Sequence, residues 1–175
     1  MTQNITSTTS KGIILGLVLI LTAAIIFILK IENKSIQWVQ NSIMVIGIIL
    51  CVSQYAKQID NNATFGDYFS HGFKIAALVT IIMIVYLLIF TNIFPEYKAR
   101  TLEMARKQME GNQKLSSDDM EKALSVTSKY FTLFLVLGAL IWNLILGAIG
   151  SLIGAAINKK EPVVFQEEHV TQTGS

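Results

Sequence analysis

Three ionisable residues lie close enough in the sequence to act together. Asp67, His71 and Lys74 follow one another at intervals of four and three residues, which places their side chains on one face of an α-helix. A carboxylate, an imidazole and an amine in one group can relay protons or bind a lipid headgroup. The same residues also make an ordinary polar network at a membrane surface, where long side chains extend toward water. We expect the surface network and keep the proton relay and the headgroup site as alternatives.

The sequence contains little sign of a metal site, a catalytic site or a nucleic-acid-binding face. The single cysteine, Cys51, and the two histidines, His71 and His169, are far apart, so we expect neither a metal site nor an intrachain disulfide. No glycine-rich phosphate loop follows a strand, and no serine has a credible histidine and aspartate partner set. The net charge of +2 is dispersed, whereas a nucleic-acid-binding face needs clustered lysine and arginine. The sequence therefore predicts no enzyme, no cofactor and no nucleic-acid partner.

Long apolar stretches must position these residues. Hydrophobic residues make up 52% of the 175 residues and charged residues only 15%, against about a quarter charged in soluble domains. Four stretches are long enough to cross the roughly 30 Å hydrocarbon core of a bilayer as helices. We therefore predict an all-α fold, an integral membrane four-helix bundle over residues 12–160, with a polar tail at 1–11 and a loose tail at 161–175. The predicted spans are 12–29, 36–56, 73–94 and 130–157.

The last span, 130–157, carries small residues at regular intervals. Helices in lipid gain little by hiding apolar surface from each other, so close backbone contact and interhelical hydrogen bonds must hold them together. Asn143 is polar and lies in mid-span, so we expect it to hydrogen-bond a neighbouring helix rather than a substrate. Its candidate partners are Thr80, Ser53 and Gln54. The predicted helix-packing residues are Asn143, Gly147, Gly150, Ser151 and Gly154.

Two helix starts are marked by capping signals. Thr64 with Asp67 three residues later matches a capping box, and Ser116 with Asp119 offers a second side-chain cap. In both, a short polar side chain satisfies an amide left free at the helix start. The second start follows a break at Gly111. A helix is therefore expected to begin just after each cap.

A charged segment, residues 96–129, separates the third and fourth spans. It follows a proline, and Glu103 with Lys107 has the i, i+4 spacing of a favourable ion pair. We predict a polar helical hairpin projecting beyond the bilayer. Because no stop signal follows Ser117, we also predict one continuous helix from there into the fourth span.

Four runs of sequence resemble a known family. They are TFGDYFSHGFK before the third span, PEYKARTLEMARKQME after it, then SSDDMEKAL and AIGSLIGAAINKKEP. Together they resemble a bacterial domain of unknown function, numbered 4199 and common in Bacteroidota, over about Lys11 to Pro162. The resemblance implies a four-helix integral membrane protein. It implies no activity and supplies no catalytic or binding residues.

Basic residues are distributed unequally between the two ends of the predicted bundle. Nine of the 14 lysines and arginines fall on the side of the 95–129 connection, which favours a cytoplasmic position for that connection. We therefore expect a multi-pass protein of the cell (inner) membrane. Its expected role is structural or partner-binding, with a protein partner or a second copy of the chain meeting the polar hairpin. The alternative is a subunit of an oligomeric transporter or channel.

Overall fold

The computed structural model describes residues 7–29, 34–111 and 116–159, without the side chains of 34–37. These residues form six helices and no strand, so the predicted all-α fold is confirmed. Four of the helices, α1, α2, α3 and α6, are long and apolar enough to cross a membrane. The tail at 161–175, most of the tail at 1–11 and most of the first connection lie outside the described residues. The helices are α1 (Thr8–Ile28), α2 (Lys34–Gln58), α3 (Phe65–Ile93), α4 (Glu96–Glu110), α5 (Ser117–Lys129) and α6 (Phe131–Asn158).

The four long helices alternate in direction and pack as a bundle. Helix α3 packs against α1, α2 and α6, and α2 also packs against α1 and α6. Helix α3 therefore packs against all three of the other long helices. Most other large apolar side chains face outward, as expected for helices surrounded by lipid. The interior is formed by Leu19, Met44, Ile48, Val52, Tyr68, Ile75, Val79 and others with little or no exposed surface.

The first and third spans begin earlier than the apolar pattern indicated. Helix α1 starts at Thr8, with the Ser7 side chain accepting a hydrogen bond from the Ser10 N–H, so Lys11 belongs to the helix rather than to a tail. Helix α3 starts directly after Thr64, and the predicted capping box is confirmed. The Asp67 N–H donates to Thr64 Oγ1 at 3.3 Å, and the Thr64 N–H donates to Asp67 Oδ2 at 3.0 Å. The polar residues before each predicted span therefore form its first helical turns.

Helices α4 and α5 form the predicted polar hairpin, since they pack against each other. The Ser116 cap is confirmed, because its Oγ accepts a hydrogen bond from the Asp119 N–H. The Glu103 and Lys107 pair is also confirmed at 2.8 Å. Hydrogen bonding and the positive charge of Lys107 hold the pKa of the Glu103 carboxyl below its usual value. The connection at 112–115 lies outside the described residues.

The prediction of one continuous helix from Ser117 into the fourth span is wrong, because the helix is interrupted at one residue. Tyr130 has φ −106° and ψ 24°, outside helical geometry, and separates α5 from α6. At the break, Tyr130 is 45% exposed and Phe131 is 6% exposed. Hydrogen bonds from the Tyr130 N–H to the Val126 carbonyl and from the Phe134 N–H to the Tyr130 carbonyl continue across it, each at 3.0 Å. The interruption is therefore confined to one residue.

Candidate functional site

The polar site lies at the end of the bundle where α1 and α3 begin and α2 ends. His71 on α3 is 9% exposed, and its ring stacks on that of Tyr55 on α2, with centroids 3.9 Å apart and planes 7° apart. Its Nδ1 lies 3.4 Å from Thr8 Oγ1 on α1. Three helices therefore position one imidazole.

The other two residues predicted to act with His71 are exposed. Asp67 uses its Oδ2 atom locally, accepting hydrogen bonds from the Thr64 N–H at 3.0 Å and from the Thr64 hydroxyl at 2.7 Å. Lys74 lies one turn beyond His71 on the solvent-facing side of α3. Among the described residues, no ion pair joins Asp67 and Lys74. The predicted trio thus shares a location but not a hydrogen-bonded network.

Lys11 is the residue of this site that the sequence reasoning missed. Its side chain is buried, with 4% of the residue exposed, and its Nζ donates to the Cys51 carbonyl at 3.3 Å and to Gln58 Oε1 at 3.4 Å. The ammonium lies 5.9 Å from the centre of the Tyr55 ring. Ser7 was the available signal, because a serine cap one turn before Lys11 extends the helix over it.

Two further polar atoms are buried at this end of the bundle. Tyr68 is fully buried on α3, and its ring meets that of Tyr55 edge-on, with centroids 6.2 Å apart. Among the described residues, His71 Nε2 has no hydrogen-bond partner, whereas the Tyr68 hydroxyl lies close to the Ala63 backbone. Buried polar atoms are nearly always paired in native proteins. His71 Nε2 therefore retains unused hydrogen-bonding capacity.

An open cleft of about 380 Å³ lies beside the rings of Tyr55 and His71. Hydroxyl groups, two rings and two charged side chains surround it, with Lys11 next to the Tyr55 ring that forms one wall. Within the described ranges, no group of three histidine, cysteine or acidic residues is placed to hold a metal ion. The lining residues are Ser7, Thr8, Tyr55, Asp67, Ser70, His71 and Lys74.

The predicted packing residues of α6 lie against two different helices. A Cβ atom added at Gly147 would collide with the Cβ of Ala76 on α3. On the α2 side, a Cβ at Gly150 would lie 3.1 Å from the Val45 carbonyl oxygen, and one at Gly154 would lie 3.0 Å from Val52 Cβ. Small residues thus sit at the closest approaches of α6 to both neighbours.

The neighbour of these glycines, Ser151, is also buried. Its hydroxyl donates to the Gly147 carbonyl of its own helix at 2.7 Å. A Cβ added at Gly72 on α3 would lie only 2.8 Å from Ser151 Oγ. Ser151 therefore packs against α3, and within the part of the chain that the structure describes its hydroxyl hydrogen-bonds only its own helix.

The hydrogen bond expected from Asn143 does not appear among the described residues. Asn143 is only half-buried, and the Thr80 hydroxyl donates to the Ala76 carbonyl of its own helix. Ser53 instead accepts a hydrogen bond from Asn158 Nδ2 at 3.0 Å. The polar contact near Asn143 is made by its neighbour Trp142, whose Nε1 donates to an asparagine of α2 at 3.3 Å.

Comparison with known proteins identifies the family of the chain. No curated protein and no solved structure matches it. A family model matches residues 11–160, which include α1 from Lys11 onward, all of α2, α3 and α6, and the α4–α5 hairpin. This match confirms the resemblance seen in the sequence. The chain belongs to the family described as "Protein of unknown function (DUF4199)".

Proposed function

We propose that this helical membrane protein is a structural component that binds a protein partner through its α4–α5 hairpin. The supporting observation is that none of the residues of α4 and α5 is fully buried. Both helices nevertheless carry apolar residues.

The apolar residues of the hairpin are only half covered. Two helices packed together bury only one side of each apolar strip. Met104 on α4 and Val126 on α5 are about half exposed. An amphipathic helix of a partner fits such a surface, with apolar anchors at helical spacing. The half-buried strips are Leu102, Ala105 and Met109 on α4, and Met120, Ala123 and Leu124 on α5.

Introducing charge at the exposed apolar positions of the hairpin tests this function. We expect Met104→Glu combined with Val126→Glu to lower the recovery of the partner from native membranes roughly tenfold or more, because buried charge disrupts an apolar contact. Quantitative mass spectrometry of affinity-purified complexes measures this recovery. Ser117→Glu is the matched control, since it adds a charge at an exposed polar position on the side of α5 opposite Val126.

The readout requires that both variants insert and fold as the native chain does. Equal thermal unfolding temperatures in detergent establish this. If the double variant retains every protein that co-purifies with the native chain, the hairpin is not the binding surface.

We also propose that the hairpin faces the cytoplasm at the bacterial inner membrane, on the basis of the excess of basic residues at its end of the bundle. In a Cys51→Ser background, a cysteine replacing Gly111 should react with an impermeant maleimide only after the cells are permeabilised. A cysteine replacing Gly66, which is exposed at the opposite end, should react in intact cells. The reverse labelling pattern would invert the orientation.

A further inference from the structure

We infer that the cleft beside His71 binds the phosphoethanolamine headgroup of a membrane lipid, which carries a phosphate and an amine. The cleft is bounded by Ser7 and Thr8 of α1, Tyr55 of α2 and the first turns of α3. Its volume of about 380 Å³ lies near the lower end of the range for small-molecule sites, roughly 300–1,000 Å³, as expected for a headgroup. The inference is independent of the role proposed for the hairpin, which lies at the other end of α3.

The first observation is that one face of α3 presents unused polar groups to the cleft. Asp67, Ser70 and Lys74 all line it, and their spacing of three and four residues makes them neighbours on the helix surface. The hydrogen bonds from Thr64 both end on Asp67 Oδ2, which leaves Oδ1 as an acceptor. Within the described ranges, neither the Ser70 hydroxyl nor the Lys74 ammonium has a hydrogen-bond or ion-pair partner. A ligand that offers both donors and acceptors can therefore contact all three residues.

The second observation is the order of the two charges along α3. The helix runs from the polar turn at 60–64 into the apolar stretch that begins at Ile75, so Asp67 lies nearer to water than Lys74. The two residues are about two turns, roughly 10 Å, apart along the axis. Hydrogen bonds of about 3 Å at each end leave roughly 4 Å, the span of an amine joined to a phosphate oxygen by two carbon atoms. Because acyl chains anchor the phosphate of a lipid deeper than its amine, the amine meets Asp67 and the phosphate meets Lys74.

The third observation is that the same face of α3 continues below the cleft as an exposed apolar surface. Ile81 and Val85 extend the helical spacing beyond Lys74, and they are 59% and 51% exposed. Between them and the cleft, α1 and α3 close together, because a Cβ added at Gly12 would lie only 2.7 Å from Leu78 Cδ2. A headgroup in the cleft can therefore extend its acyl chains along the outside of α3. A free zwitterion lacks the apolar chains that would cover these residues, so the arrangement favours a lipid.

Lipid selectivity is measured by native mass spectrometry of the full chain in a neutral detergent. The probes are phosphatidylethanolamine, phosphatidylcholine and phosphatidylglycerol with identical acyl chains. We expect phosphatidylethanolamine to bind about fivefold more tightly than either of the others. The trimethylated amine of phosphatidylcholine cannot donate a hydrogen bond to Asp67, and the glycerol of phosphatidylglycerol carries no positive charge. Equal affinities of the native chain for the three lipids would overturn the inference.

Two variants test the two ends of the headgroup separately. Lys74→Gln should weaken the binding of phosphatidylethanolamine about threefold to fivefold. Asp67→Asn should weaken it by a similar factor without weakening the binding of phosphatidylglycerol, and its amide oxygen still accepts hydrogen bonds from Thr64. The matched controls are Lys57→Gln and Asp60→Asn, which are exposed at the same end of the bundle but do not line the cleft. Asp60 has φ 52°, a conformation that asparagine also adopts readily.

The variants distinguish a headgroup site from general surface charge. Equal unfolding temperatures establish that each variant folds as the native chain does. Loss of the preference for phosphatidylethanolamine in both cleft variants, with the preference retained in both controls, supports the inference. Unchanged selectivity in Asp67→Asn, or equal losses in the controls, overturns it. Free phosphoethanolamine that binds as tightly as the lipid would overturn the assignment to a lipid, because it has no acyl chains to contact Ile81 and Val85.

Discussion

Replacing Gly147 with leucine should destabilise the folded bundle by about 3 kcal/mol, near the upper end of the range for overpacked interiors. Even a single Cβ atom at this position would collide with Ala76 Cβ on α3, and leucine adds three more carbons. The clash can be relieved only by moving α3 and α6 apart. In lipid, that separation removes the close packing on which helix association depends.

Gly138→Leu is the matched control for this prediction. Gly138 lies on the same helix, and a Cβ added there meets nothing within 4 Å. Leucine is a better helix former than glycine by roughly 1 kcal/mol, so this variant should be as stable as the native chain or slightly more stable. The same substitution on one helix thus has opposite expected effects at two positions.

The measurement is the unfolding free energy from titration of detergent-solubilised protein with a denaturing detergent, followed by circular dichroism. The monodisperse fraction on size-exclusion chromatography provides a second readout. Equal stability of Gly147→Leu and Gly138→Leu would contradict the packing role of the small residues in α6.

Replacing Phe90 with alanine should have the second largest effect, a loss of about 2 kcal/mol. Phe90 contacts four other rings at the end of the bundle that carries the hairpin, and each aromatic pair contributes roughly 0.5–1.5 kcal/mol. The contacts join the end of α1, the end of α3 and the start of α4. The partner rings are those of Phe27, Tyr86, Phe94 and Tyr97, with centroids 4.8 to 5.6 Å from that of Phe90.

Phe134→Ala is the control for Phe90→Ala. Phe134 is exposed on α6 and has one ring contact, to Tyr130 with centroids 6.4 Å apart. The Phe134→Ala variant should therefore lose well under half as much unfolding free energy as the Phe90→Ala variant in the same denaturant titration. Hydrogen exchange measured by mass spectrometry should also show faster exchange in α4 for Phe90→Ala only. Similar losses in the two variants would mean that the aromatic cluster does not join α4 to the bundle.

The sequence predicted those parts of the fold that depend on local signals. Long apolar runs revealed four helices, and the capping residues Thr64 and Ser116 marked two helix starts correctly. The start of α4 was also correct, because proline cannot continue a helix at Pro95. These features require only residues within about one turn of each other.

Features that depend on distant residues could not be predicted in the same way. Lys11 was assigned to a tail because a charge usually marks the end of a span, yet its acceptors, Cys51 and Gln58, are supplied by α2. The hydrogen bond expected from Asn143 to a neighbouring helix does not appear in the part of the chain that the structure describes. Such bonds depend on how each helix is rotated about its axis and shifted along its neighbour. The break at Tyr130 has no proline or glycine to announce it. His71 was identified as a site residue, but its burial follows from packing against Tyr55.

Helix α3 is 29 residues long, about 43 Å at the usual rise per residue. The cleft beside His71 adjoins its first turns, and the hairpin follows its last. A helix of this length places its two ends on opposite sides of a bilayer. If the hairpin lies in the cytoplasm, the cleft opens toward the opposite compartment, so the labelling at Gly111 and Gly66 also determines which solution the cleft meets.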